Sequence, residues 1–409
     1  MRALSMATFA GAIGFTAAAA RSTVSPKPSG RADGLAAVLV ACSVVYGLQM
    51  AATVRPYALL MMFAAMSLWA DARANPSALL GSHLLGLFTH PIFVFLTAAS
   101  SIAGAAFGRG RWIRAGAPAA ALGVYLLTWG WMLGRTAALP ATSWMAAPGA
   151  RDLLAGVLFW GDHGTPILAA LIVLLTALRG FDRIGRARSN LAFAAAVCVL
   201  VLGLAFIVSQ AKPVYLASRT PVLVLPAAAM AVGVFVSESA PLLAMCAVAA
   251  LVSVSAVRFT VRAASRPDPF PTRASLASVA PRMQCGDSIV AAGLSYAPII
   301  FYAPAAGVPA CVPIVAFPVD VQQHPGWLDL TEAGRTRVRR EADAMIREWD
   351  VSGTTWAFIA RHGVGAEAGA ALADARSRVE PSRQILDAKG SFFDEIAIFG
   401  PIRRTLARP

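Results

Sequence analysis

Through residue 257, apolar residues come in unbroken runs separated by short polar stretches, and they do not alternate with polar ones. The runs cover 3–20, 35–52, 57–70, 77–107, 112–133, 165–179, 189–209, 219–236 and 240–257. Several approach the roughly 20 residues a helix needs to cross a bilayer, so the pattern predicts membrane-spanning helices. The first run lies at the N-terminus without a clear cleavage site, and it reads as a span and not as a signal peptide. The run 57–70 is short unless its flanks join it. The run 77–107 holds 31 residues, too many for one ordinary span. Thr89-His90-Pro91 offers a break in it, because proline does not continue a helix.

Charge in the loops decides whether that break exists. With a break at His90, loops 21–34, 71–76, 108–116 and 179–188 fall on one side and carry eleven Lys and Arg. The opposite loops, 53–56, 134–164 and 210–218 with Arg219, carry five. Without the break each side carries eight. Cytoplasmic loops are the ones rich in Lys and Arg, so the uneven split is favoured. The prediction is ten membrane segments, with Arg55, His90, Lys212, Arg219 and everything after residue 258 outside the cytoplasm.

Beyond Arg258 the pattern changes. Residues 258–283 read as a Pro/Arg/Ser-rich linker, and 284–409 as a small soluble domain. Its short strand-like runs, Ser288–Ala292, Val312–Phe317, Thr354–Ala360 and Glu395–Phe399, alternate with helix-like ones, of which Glu332–Trp349 is the clearest. That alternation predicts an α/β layer. The expected architecture is therefore a mainly α, polytopic membrane domain over 1–257, a linker, and an α/β domain.

Composition agrees with the pattern. Of the 409 residues 57% are hydrophobic and 14% charged, and mean hydropathy is +0.64. The formal charge of +14 lies partly in the inter-helix loops and partly in an arginine-rich C-terminal third. No basic patch interleaved with aromatics stands in a soluble domain, so nucleic acid is not an expected partner. Neither a G-x-G-x-x-G after a strand nor a P-loop is present. Cys42, Cys198 and Cys246 lie in the apolar runs as small packing residues. Cys285 and Cys311 both fall in the domain expected outside the cytoplasm, where oxidation is permitted, and their spacing fits no zinc signature. A disulfide between them is the favoured reading.

Candidate chemistry sits where polar residues meet the apolar runs. Arg55 would cost about 2.5–3.5 kcal/mol at a bilayer centre, which places it at a surface or in a wet cavity. Arg55-Pro56-Tyr57 then forms a corner, and a guanidinium fork there suits a phosphate. Arg and Tyr also populate helix ends as plain interfacial anchors. The segment 210–221 sets Lys212, Tyr215 and Arg219 just before a span, again a set that suits a lipid phosphate. His90 is a helix-end polar residue and a candidate ligand. In the loop 134–164, Asp162 and His163 are candidates for a base, a metal ligand or a sugar-hydroxyl acceptor, or for a helix cap.

The N-terminal RALS, then VRPYALLMMFAAMSLWA, then LGLFTH, and later KPVYLASRTPVLVLPAAAMAVG, resemble segments of bacterial membrane glycosyltransferases of the protein O-mannosyltransferase-like superfamily. The resemblance covers roughly residues 1–260. It implies a GT-C fold, a multi-pass protein of the inner membrane, a polyprenyl-phosphate-linked sugar as donor, and a lipid or glycan acceptor at the periplasmic face. It implies that Arg55, Tyr57, His90, Lys212 and Arg219 line the cavity where lipid phosphate and acceptor meet. A small periplasmic C-terminal domain is also typical. In that family a catalytic Asp stands in the first external loop, before the helix that RALS begins. No acidic residue precedes Asp33 here, which leaves two readings: an N-terminally truncated reading of a longer gene, the favoured one, or a protein that has lost its usual base. In both the catalytic residue is unidentified, and activity of the sequence as written is an open expectation. A divalent cation would suit the phosphate, although no clustered ligands for one stand in the sequence. The same residues leave open a non-catalytic envelope scaffold and a transporter of lipid-linked precursors.

Overall fold

The computed structural model describes residues 2–23, 56–107, 111–138, 147–158, 188–215, 219–239, 253, 257, 261, 271–323, 331–352, 354–359, 366–377 and 395–399. The expected spans 35–52, 165–179 and 240–257 lie largely or wholly outside these residues. The chain divides into two compact units, one of residues 1–137 and 146–264, the other of 138–145 and 265–409.

The first unit is helical. Its described helices are α1 (Arg2–Thr23), α2 (Tyr57–Ala72), α3 (Pro76–Thr89), α4 (Phe93–Ala106), α5 (Arg111–Ala138), α6 (Ala150–Leu158), α7 (Arg188–Ala211) and α8 (Leu225–Ser239), the last preceded by a 3-10 turn, Thr220–Leu223. Three of them are long and apolar enough to cross a membrane: residues 3–23 of α1, 112–135 of α5 and 189–211 of α7. On α5, Leu127 is 88% exposed, and Trp112 and Trp131 on the same helix are exposed too. Large apolar side chains left outward on an apolar helix suit a hydrocarbon surround better than water. The α2, α3 and α4 helices run 16, 14 and 14 residues. At 1.5 Å per residue they rise only about 21–24 Å, short of the roughly 30 Å hydrocarbon core.

Local signals explain where these helices start and stop. Pro56 precedes α2 with φ −67° and its carbonyl accepts the Leu60 N–H at 2.9 Å, so a residue that cannot extend a helix backward begins one. Asn75 caps α3, its side chain accepting from the Ala78 N–H at 3.0 Å, with Pro76 in the first helical position. The chain does break at His90, which ends α3 in an extended conformation (φ −163°, ψ 133°). The turn then re-enters helix through Phe93 N–H to His90 O and Val94 N–H to Pro91 O, at 3.0 and 3.1 Å.

Helix α2 packs against α1, α3 and α8, and α4 packs on α7. Small residues allow the closest approaches, as is usual where lipid cannot drive helices together. A Cβ on Gly86 would lie 2.4 Å from the Phe93 ring, so the α3–α4 hairpin closes only because position 86 has no side chain. Phe93 is fully buried there. One turn back from Gly86, His83 Nδ1 lies 3.1 Å from Thr97 Oγ1, and that hydroxyl donates to Phe93 O at 3.1 Å.

The second unit is a four-stranded sheet in the order β2-β1-β3-β4, with helices α9 (Pro271–Val279), α10 (Tyr296–Tyr302), α11 (Asp320–Gln323), α12 (Glu332–Ser352) and α13 (Ala366–Ser377). Its strands are β1 (Ser288–Ala292), β2 (Ile314–Phe317), β3 (Thr355–Ile359) and β4 (Glu395–Phe399). The β1 strand pairs in parallel with β2 and β3, in the register Val290 to Val315 and to Ala357, and β3 pairs antiparallel with β4. Val338, Ala342 and Ile346 bury one stripe of α12, and Trp356 and Phe358 from β3 share that core. Cys285 and Cys311 are joined in a disulfide with Cα atoms 5.3 Å apart, inside the range such a bond requires. The expected linker 258–283 contains described secondary structure. Residues 271–279 form a helix whose Leu276 and Val279 enter the second core, apolar positions three apart that the surrounding Pro, Arg and Ser had masked.

Candidate functional site

Three segments far apart in sequence meet in the first unit. Tyr57 opens α2 and is buried; His90 sits in the turn between α3 and α4; Arg219 precedes the 3-10 turn that leads into α8. The Tyr57 and His90 rings lie 6.3 Å apart at 42°, and the Arg219 guanidinium carbon lies 6.0 Å from the Tyr57 ring centroid, at the outer limit of a cation–π contact. Burial first, and the charge of Arg219 second, push the His90 pKa below its ordinary 6.5, so the ring is neutral at pH 7. The Ile92 N–H donates to His90 Nδ1 at 3.2 Å. A nitrogen that accepts carries no proton, which puts the proton of the neutral ring on Nε2. The cluster therefore offers donors: an imidazole Nε2–H, a phenol and a guanidinium. Its three side chains include no carboxylate.

The other expected site residues divide. Tyr215 is buried, and its hydroxyl is directed at main-chain oxygens, donating to Asp152 O at 3.3 Å with Leu153 O at 3.5 Å. Its own N–H and that of Val214 both donate to the buried Ser209 Oγ, at 2.6 and 3.0 Å. Gln210 Nε2 donates to Pro148 O at 3.0 Å, so the last turn of α7 is stitched to the residues just before α6. Burial, then the charge of Asp152, push the Tyr215 phenol's pKa up. In this structure the Tyr215 hydroxyl fastens the stretch after α7 to the main chain of α6. Lys212 follows α7, half-buried, with its N–H on Val208 O at 3.0 Å. Arg55, Asp162 and His163 lie outside the described residues. Among the described residues no three His, Cys, Asp or Glu side chains cluster as metal ligands.

A second polar centre lies at the other end of α2. Arg114 Nε is 2.8 Å from Asp71 Oδ1, with the two side chains 12% and 7% exposed. Arg114 Nη2 donates to Asn190 Oδ1 at 2.8 Å, and the guanidinium stands 5.2 Å over the Phe193 ring. One arginine thus ties the end of α2 to the starts of α5 and α7. Nothing in the local pattern pointed to it beyond an acid and a base, each at the edge of an apolar run.

Compared with protein-family models, with curated proteins and with solved structures, the chain finds no match in any of the three.

Proposed function

We propose that the first unit is a membrane glycosyltransferase of GT-C type that moves a sugar from a polyprenyl phosphate to an acceptor of the cell envelope. The observation that carries this reading is the meeting of Tyr57, His90 and Arg219 from three separated segments, all as hydrogen-bond donors. Residues acting only as interfacial anchors have no reason to share one place, whereas donors around a single phosphate do. In this reading the ten-segment topology holds, the donor cluster faces the periplasm, the Asp71–Arg114 centre lies at the cytoplasmic end, and the α/β unit is periplasmic.

The chemistry follows from the groups. An acceptor hydroxyl attacks the anomeric carbon, the carbon–oxygen bond to phosphate breaks, and the electron pair leaves with the phosphate oxygen. Arg219, His90 Nε2–H and the Tyr57 hydroxyl stabilise that growing negative charge. None of them takes the acceptor's proton: arginine stays charged, and the accepting nitrogen of His90 is occupied by Ile92 N–H. The base is supplied elsewhere, with Asp162 and His163 as this chain's candidates. A divalent cation could assist by neutralising phosphate.

Release of polyprenyl phosphate from a polyprenyl-phosphate hexose or pentose, measured with the purified chain in nanodiscs and membrane extract as acceptor, tests the reading. Release that disappears in Arg219→Ala and persists in Tyr215→Phe supports it. Equal release by wild type and Arg219→Ala would remove the donor cluster from the reaction.

A further inference from the structure

The second unit carries an apolar surface that its own core does not use. From Ser288 to Val319 the sequence holds no charged side chain. Much of that stretch is interior, including β1, Tyr296, Ile299 and Phe317. The outer side of α10 is not: Phe301 is 74% exposed and Ile300 43%. Pro304, Ala305 and Gly307 follow, also exposed. The Phe301 and Tyr302 rings stand edge to face at 4.9 Å, a favoured geometry for an aromatic pair. The Cys285–Cys311 disulfide closes the stretch that carries them.

The adjoining chain has the complementary character. Between Val257 and Arg282 stand Arg258, Arg262, Arg266, Arg273 and Arg282 against one acid, Asp268. Of these, Arg273 and Arg282 are exposed on and just after α9, which packs against α10. An uncharged aromatic tip with arginines on the neighbouring helix is a combination that holds a protein to an anionic lipid surface, apolar groups entering the headgroup layer and arginines meeting the lipid phosphates. A protein partner of this size of surface is normally met by a polar rim that supplies hydrogen bonds, which a charge-free tip lacks.

We propose that the Ile300–Phe301 tip inserts into the interfacial layer of an anionic bilayer and seats the α/β unit on the membrane. The proposal rests on the chain being a membrane protein and is independent of the glycosyltransferase reading. The test places a nitroxide at Phe301→Cys, and at Arg339→Cys as reference, in the full chain with Cys42, Cys198 and Cys246 changed to Ala. The protein is reconstituted in vesicles of mixed zwitterionic and anionic phospholipid. Power saturation with oxygen and with a water-soluble nickel chelate reads the depth. Position 301 is expected to be relaxed more by oxygen than by nickel, and position 339 the reverse. Nickel access at 301 equal to that at 339 overturns the proposal, and so does shielding of 301 from both reagents, which would mean that protein covers the tip. As a second reading, amide exchange over 296–311 in nanodiscs is expected to be slower in wild type than in Phe301→Asp, and equal rates overturn it.

Discussion

Replacing Asp71 by alanine is expected to destabilise the first unit severely, and the reason lies in how deep the pair sits. Arg114 and Asp71 are 12% and 7% exposed, with Nε to Oδ1 at 2.8 Å. Were the pair at the surface, its loss would cost about 0–1 kcal/mol. Buried, the truncation leaves a guanidinium facing, among the described residues, Asn190 Oδ1 and the Phe193 ring, and stranding such a charge costs about 3–5 kcal/mol. Set against a total stability of about 5–15 kcal/mol for an ordinary folded protein, that is a large share. The double variant Asp71→Leu with Arg114→Met strands nothing, and it is expected to lie near wild type or above it, since apolar replacements of buried pairs are often neutral or stabilising. The assay is reversible unfolding in mixed micelles at increasing SDS fraction, run on wild type, both single variants and the double. The cycle then isolates the coupling between the two positions. An Asp71→Ala change within about 1 kcal/mol of wild type, as for an exposed pair, would refute the reasoning, and so would a double variant that loses the sum of the singles.

Gly86→Ala forces a methyl to within 2.4 Å of the fully buried Phe93 ring, so overpacking of about 1–3 kcal/mol is expected; unfolding measurements should show the loss and its partial recovery with Phe93→Leu, and an unchanged Gly86→Ala protein contradicts the hairpin packing. His90 has a pKa held below its ordinary 6.5 by burial and Arg219, so the unfolded chain binds a proton at a pH where the folded one does not. Stability is then expected to fall as pH drops through about 6.5 and to level off once folded His90 is protonated too; an identical pH profile in His90→Gln would contradict this. Alkaline phosphatase is expected to be active when fused after residue 260 and inactive when fused after Gly185, and the reverse pair would overturn the ten-segment topology.

Features that depend on a local period were legible before any coordinates. The strands Ser288–Ala292 and Glu395–Phe399 have the bounds their runs suggested, and β2 and β3 are trimmed by one or two residues at their ends. The stop at His90 followed from Pro91 together with a loop-charge count, two independent arguments that agreed. What escaped depends on pairing across distance. Arg114 finds Asp71 and Asn190 through helix packing that no one-dimensional pattern encodes, and Gly86 looks like any glycine until Phe93 lies against it. The bond from the Tyr215 hydroxyl to Asp152 O also escaped, because a phenol near a cation at a helix end looks the same whether it awaits a ligand or fastens two segments. The helix 271–279 was hidden because two core residues among Pro, Arg and Ser look like a linker.

The most direct test of the donor cluster is the affinity of the purified chain for a polyprenyl phosphate, measured by native mass spectrometry or thermophoresis in nanodiscs, for wild type, Arg219→Ala and Tyr57→Phe. A hydrogen bond to a charged group contributes about 1.5–3 kcal/mol, so Arg219→Ala should weaken binding by roughly one to two powers of ten. Tyr57→Phe should weaken it less, and inorganic phosphate should compete poorly against the lipid. Equal affinity in wild type and Arg219→Ala, or no binding by wild type, would contradict the assignment of Tyr57, His90 and Arg219 to a lipid phosphate.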